Sequence, residues 1–186
     1  MADAAQKLVE GRECGACTSC CIHLLINSKE FVKLPGVVCP NCEKGCRIYE
    51  TRPSLCRDYY CGWRTMPELP DSWRPDKIGV IVNVVQNVAG GREIHFNLTG
   101  AKFVLHDRNF AIAVARLVAQ NQPTFLVFPG KGDEAATKVF LNAGMRVAVM
   151  SHDLAQVTQG LLLAYESGMR HPRQKLNLGA PAGGFQ

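Results

Sequence analysis

The chain has no cysteine after residue 61, no long apolar run and no strong excess of charge of either sign. Each absence narrows its class. A membrane-crossing helix needs roughly 18–20 consecutive apolar residues, and no stretch approaches that length. The opening MADAAQKLVEGRE carries no apolar segment of the signal-peptide kind, so the expected compartment is the cytoplasm. A formal net charge of +5 is milder than the basic stripe of a dedicated nucleic-acid domain. None of His95, His106, His152 and His171 pairs with a carboxylate or serine at a telling spacing, and His152-Asp153 reads as a first-turn pair at a helix start. No catalytic constellation is assigned, and an enzyme is disfavoured.

What is there sits mostly at the front. All nine cysteines lie between Cys14 and Cys61. They run Cys14-x2-Cys17-x2-Cys20-Cys21, then Cys39-x2-Cys42-x3-Cys46, then Cys56-x4-Cys61. In a reducing compartment structural disulfides are rare, so such a cluster calls for metal binding or redox chemistry. A C-x2-C pair sets two sulfurs on one ion through a tight turn, and zinc sites are commonly built from two such units. Gly15 and Gly45 stand where those turns need them. The nine thiols suffice for two four-sulfur sites, or for one iron–sulfur cluster plus a zinc. Cys14, Cys17 and Cys20 match the first three ligands of a bacterial ferredoxin run, but the fourth is missing, which argues against a simple ferredoxin. Adjacent Cys20 and Cys21 point different ways in extended backbone, which leaves two metals sharing the segment or one ligand beside a free thiol. If the cysteines bind as thiolates, this third of the chain is acidic rather than basic.

The pattern changes after the cysteines. Residues 1–65 read as a loop-rich module, with a short strand over 22–26 and a helical turn over 28–34. Pro67, Pro70 and Pro75 mark 66–75 as an extended connector. Residues 76–176 read as an α+β domain with a β-hairpin and about three helices. Its hairpin comprises the β-branched run 78–88, a turn at 89–92 and the alternating strand 93–99. Asp107 is placed to cap a helix over 107–121. A strand follows at 124–128, then a helix over 133–143 closed by Gly144, although Val139-Phe140-Leu141 also allows a strand. A strand over 145–150 and a helix from a Ser151 cap to about 167, closed by Gly168, complete the domain. Residues 177–186 read as a disordered tail. A module this poor in core residues needs a staple, and a bound metal supplies one because its binding free energy becomes folding free energy.

The blocks CGACTSCC from Cys14 to Cys21 and CRIYETRPSLCRDYYC from Cys46 to Cys61 resemble the YkgJ-type cysteine-cluster family, described as a zinc- or iron-chelating domain. The likeness covers about a quarter of the chain and includes the Cys39-Pro40 step. It implies as ligands Cys14, Cys17, Cys20, Cys21, Cys39, Cys46, Cys56 and Cys61. Cys42 departs from that pattern and stands as an extra ligand, a replacement for another, or a free thiol. The resemblance implies chelation and no particular activity.

Several other residues are secondary candidates. His23, two residues beyond Cys21, is an alternative ligand. Arg52 is expected to satisfy carbonyls or sulfurs around the site. Tyr49, Tyr59, Tyr60 and Trp63 are expected to cover it and exclude water. Pro129-Gly-Lys-Gly132 resembles a phosphate-binding turn between strand and helix but lacks the full G-x4-G-K-[ST] motif, so a plain turn is favoured. The sequence therefore points first to a protein that chelates Zn2+, or alternatively iron, including iron held as a [4Fe-4S] cluster. The ion is mainly structural, and the α+β part recognises a protein partner. An iron–sulfur redox enzyme or accessory subunit ranks second. A zinc-ribbon nucleic-acid binder using Lys44, Arg47, Arg57 and Arg64 ranks third.

Overall fold

The computed structural model describes residues 7–100 and 102–178. The cysteine-bearing part holds only short elements: α1 (Ser19–His23), β1 (Ile26–Asn27), β2 (Val32–Lys33), α2 (Ser54–Asp58) and α3 (Gly62–Thr65). A one-turn helix, α4 (Pro75–Ile78), leads into β3 (Val80–Gln86) and β4 (Arg92–Leu98). Then come α5 (Arg108–Ala119), β5 (Thr124–Phe128), β6 (Thr137–Phe140), α6 (Asn142–Met150) and α7 (Leu154–Arg170). The class is α+β.

The expected hairpin is present. β3 and β4 pair antiparallel from Val80 opposite Leu98 to Gln86 opposite Arg92. The Asn87 side chain accepts from the backbone N–H groups of Ala89 and Gly91, which closes the turn. β5 joins β4 in parallel through the α5 crossover, and β6 returns antiparallel to β5. The sheet order is β3-β4-β5-β6. One face of the sheet packs under α5, α6 and α7 in a core that includes Phe96, Phe110, Leu126, Leu141, Met145 and Leu161. Asp107 caps α5, its carboxylate accepting from Phe110 N at 2.8 Å.

Local pattern misleads in two regions. Residues 145–150 form a helix rather than a strand. Met145, Ala148 and Val149 are the buried positions of α6, at helical spacing, while Val147 is 79% exposed. Residues 137–140 form a strand instead of the middle of a helix, because β5 offers them an unpaired edge. Gly144 therefore lies inside α6 rather than at a cap. Asn142 fixes the junction, accepting from Thr124 N and donating to Gln122 O, both at 2.9 Å. The last helix starts from Asp153, not Ser151, with Asp153 Oδ1 accepting from Gln156 N. It runs through Gly168 to Arg170. Nearer the front, the expected strand over 22–26 is helical at its start, and the expected helical turn over 28–34 is a Ser28 turn followed by β2. The tail over 177–186 lies, from residue 179 on, outside the described residues.

The cysteine part and the sheet are packed together. Trp63, Met66, Leu69 and Trp73 are buried in the same core as Val80 and Val82, and the Trp73 ring lies 5.8 Å from that of Phe110. Ile81 and Asn83 alternate with Val80 and Val82 and point to the other face. There the Tyr59 hydroxyl donates to Asn83 Oδ1. The chain between Tyr59 and Trp63 thus passes around the edge strand β3. Among the described residues no helix is long and apolar enough to cross a membrane.

Candidate metal centre

The first cysteine turn is closed by Cys17 N donating to Cys14 O at 2.8 Å, with Gly15 at φ +49°. The second repeats it, Cys42 N donating to Cys39 O at 2.9 Å. Gly45, at φ +140°, carries the chain on to Cys46, and a Cβ there would sit 3.0 Å from Gly15 O. The two turns therefore touch, and glycine is required at that point. Cys39 N donates to Cys21 O at 2.9 Å, which ties the second turn to α1. Cys20 and Cys21 lie on α1, Cys56 on α2, and Cys61 caps the start of α3.

These segments enclose two adjoining cavities. The outer one is lined by Cys14, Cys17, Cys20, Cys21, Cys39, Cys46 and Cys56, together with Tyr49, Arg52 and Tyr59. The inner one, against β3, is lined by Cys14, Cys17, Cys20, Cys56 and Cys61, with Trp63, Arg64 and Ile81. All nine cysteines are free, and Cys42 lines neither cavity. The eight that do are the eight the family resemblance implies. Among the described residues no group of three or more His, Cys, Asp or Glu side chains has closed to ion-holding distances. The sulfurs share walls without yet forming a coordination shell.

Carboxylates gather on one side of the sulfurs: Glu13, Glu43 and Glu50 line a third cavity with Cys14, Cys46 and Arg64. No carboxylate lines the outer or the inner cavity. Asp76, at the margin near Cys17, is taken by Arg74 through two hydrogen bonds of 2.7 and 2.8 Å. Three cations face the cysteines. Lys33 is only 3% exposed and donates to Ile22 O and Val37 O. Burial lowers its pKa, and the charges of Cys21, Cys39, Cys20 and Cys56 push back. Arg64 is 7% exposed and reaches Cys14 Sγ at 3.7 Å. Arg52 lines both cavities and stacks 3.7 Å from the Tyr49 ring centre. Among the described residues nothing accepts from Arg52 Nε or Arg64 Nε, though both atoms are buried. A buried donor without an acceptor is costly.

Cys17, Cys21, Cys42, Cys46, Cys56 and Cys61 resist ionisation. Burial pushes Cys56 and Cys61 up to about 11. Cys21 rises further, first through its hydrogen bond with Cys20 and then through burial. Tyr59 is also raised well above its ordinary value by burial, which keeps its hydroxyl a donor to Asn83. A cation that displaces the thiol protons would set thiolate charge beside Lys33, Arg52 and Arg64. A donor set of sulfurs with no carboxylate fits a soft or borderline ion such as zinc, or an iron–sulfur cluster, and not calcium or magnesium.

The remaining candidates fall elsewhere. His23 lines neither cysteine cavity; it faces Leu25, Pro35 and Asn97 in a small separate one. Arg64 is buried, so it is no surface phosphate contact. Tyr60 lies against the Arg64 guanidinium, 5.6 Å from its ring centre, outside the two linings. The 129–132 turn leads into β6 instead of a helix, so the helix N-terminus that would bind phosphate is not there. Lys33 went unremarked in the sequence, because nothing local marks a lysine as buried.

No family model matches the chain, and neither a curated protein nor a solved structure matches it.

Proposed function

We propose that this protein chelates zinc or iron through its N-terminal thiols, that the ion is mainly structural, and that the α+β part serves to recognise a protein partner. The observation that carries the reading is the gathering of eight of the nine cysteines on two adjoining cavities that no carboxylate lines. At neutral pH a bound cation is the simple means of keeping such buried thiols ionised. The likeness to the YkgJ-type cysteine-cluster family points the same way. Apolar side chains left exposed on α6 and α7, among them Val147, Met150 and Leu163, favour a partner on that side.

The iron–sulfur form is the second reading. The unpartnered Nε–H groups of Arg52 and Arg64 favour it, because bridging sulfides add acceptors that a zinc site lacks. Anaerobic purification followed by mass-spectrometric metal analysis and absorbance separates the two. Colourless protein with tightly held zinc supports the first; brown protein with an electron paramagnetic resonance signal after reduction supports the second. Folded protein that carries neither metal and takes up neither would remove both.

A further inference from the structure

β6 is the last strand of its sheet, and part of its outer side is open. Leu141 N donates to Thr124 O at 2.9 Å. The register continues from there, with Val139 opposite Leu126 and Thr137 opposite Phe128. Bonded residues alternate along an antiparallel pair, so Thr137, Val139 and Leu141 turn their backbone groups inward to β5. Lys138 and Phe140 turn theirs outward. Among the described residues no backbone hydrogen bond meets them there. The stretch just before β6 is already taken, since Ala135 N donates to Gln174 O and Leu176 N to Asp133 O. The open edge is therefore 138–140. Natural edges are guarded by proline, by bulges or by a lysine that stands out from the strand. Here the register is regular and the run TKVF holds no proline. Lys138 does not stand out. Its ammonium bonds Glu93 at 3.4 Å and lies 4.4 Å from the Phe125 ring centre, down on the sheet face. On the same face Phe140 is 47% exposed.

We propose that this edge pairs with the same edge of a second copy, β6 against β6, about a twofold axis at Val139. An antiparallel edge is self-complementary under such an axis. Charge chooses the register. With Val139 opposite the partner's Val139, each Lys138 faces the partner's Phe140, and their outward backbone groups exchange both hydrogen bonds of a bonded pair. A lysine ammonium beside an aromatic ring is attracted to it. The two β-branched Val139 side chains meet at the axis, a favourable cross-strand pair. Centring the axis on Lys138 instead would set like charges directly opposite, which is destabilising. Centring it on Phe140 would carry Lys138 past the end of β6 to Asn142, where α6 begins. The edge asks for an aromatic beside Lys138 and a cation beside Phe140, and another copy presents both. The opposite edge strand, β3, is flanked by the chain between Tyr59 and Trp63, with Gly62 against Val82. Pairing therefore closes at two copies instead of continuing into a fibre.

The test is the solution mass of the full chain, measured by light scattering over a dilution series. Purification without oxygen keeps disulfides from joining two copies. The parent protein should reach twice the mass of one chain. Lys138→Pro should stay at the mass of one chain with unchanged circular dichroism, because proline there removes an outward donor and spares the bonds to β5. Phe140→Lys and Phe140→Glu test the register without altering the backbone. The first opposes the partner's Lys138 with a like charge, the second with an opposite one. The glutamate variant should therefore associate at least about tenfold more tightly than the lysine variant. A parent protein that keeps the mass of one chain at every concentration overturns the proposal. So does a folded Lys138→Pro protein that still pairs, or equal association of the two Phe140 variants. Should Lys138→Pro fail to fold, the Phe140 comparison decides alone.

Discussion

Arg12 donates to the carbonyls of Trp63, Met66 and Leu69 at 2.7, 3.0 and 2.5 Å, and its Nε bonds Asp71 at 2.8 Å. Its side chain is 8% exposed, whereas that of Asp71 is 87% exposed. The ion pair is therefore solvated and contributes under about 1 kcal/mol. The three carbonyls matter more, since removing the guanidinium strands buried acceptors at a cost of about 1–3 kcal/mol each where water does not reach them. Arg12→Ala should destabilise the protein by about 2–4 kcal/mol, and Asp71→Ala by under about 1. Lysine should not rescue, because it lacks the planar fork that spans three acceptors. Urea unfolding followed by tryptophan fluorescence measures this. Equal small shifts for Arg12→Ala and Asp71→Ala would refute it.

At the scale of elements, α7 carries two interior glycines with opposite surroundings. Replacing glycine by alanine inside a helix gains up to about 1 kcal/mol of propensity. At Gly160 the added methyl would meet Met145 Cγ at 3.2 Å, a flexible side chain that can yield. At Gly168 it would lie 2.0 Å from Phe128 Cε2. Phe128 is buried against Tyr165 and cannot step aside. The overpacking there costs about 1–3 kcal/mol or more and outweighs the propensity gain. Gly160→Ala should leave stability level or raise it by up to about 1 kcal/mol. Gly168→Ala should lower it, by about 1–2 kcal/mol net. Thermal midpoints of the two variants moving in the same direction would count against this packing.

For the whole molecule, stability is expected to come from two sources. Residues 76–176 hold a continuous apolar core under the sheet. The cysteine part buries Leu24, Leu25 and Ile26 and little else of its own, so on the proposed reading its order depends on the ion. Stripping metal with a strong chelator should expose residues 14–61 to limited proteolysis while the sheet and its helices persist in far-ultraviolet circular dichroism. Trp63 and Trp73 stand where the two parts meet, so their emission should shift to the red. Identical cleavage with and without the chelator would mean that the cysteine part holds itself together.

What the sequence determined alone is whatever a short window can express. The cysteine spacings, the alternation of Ile94, Phe96 and Leu98, and the Asp107 cap each involve residues within a few positions of one another; the last two indicated the hairpin and α5, and the first suggests the chelation proposed above. Tertiary structure decided the rest. Residues 137–140 became a strand because β5 had an edge to fill, and 145–150 became a helix because Met145, Ala148 and Val149 had a sheet face to cover. Which cysteines meet, and that Lys33, Arg52 and Arg64 gather around them while Arg12 clamps the chain beyond, depends on contacts between residues far apart in sequence. Burial and charge compensation act through space, and no local pattern records which distant groups will share a cavity.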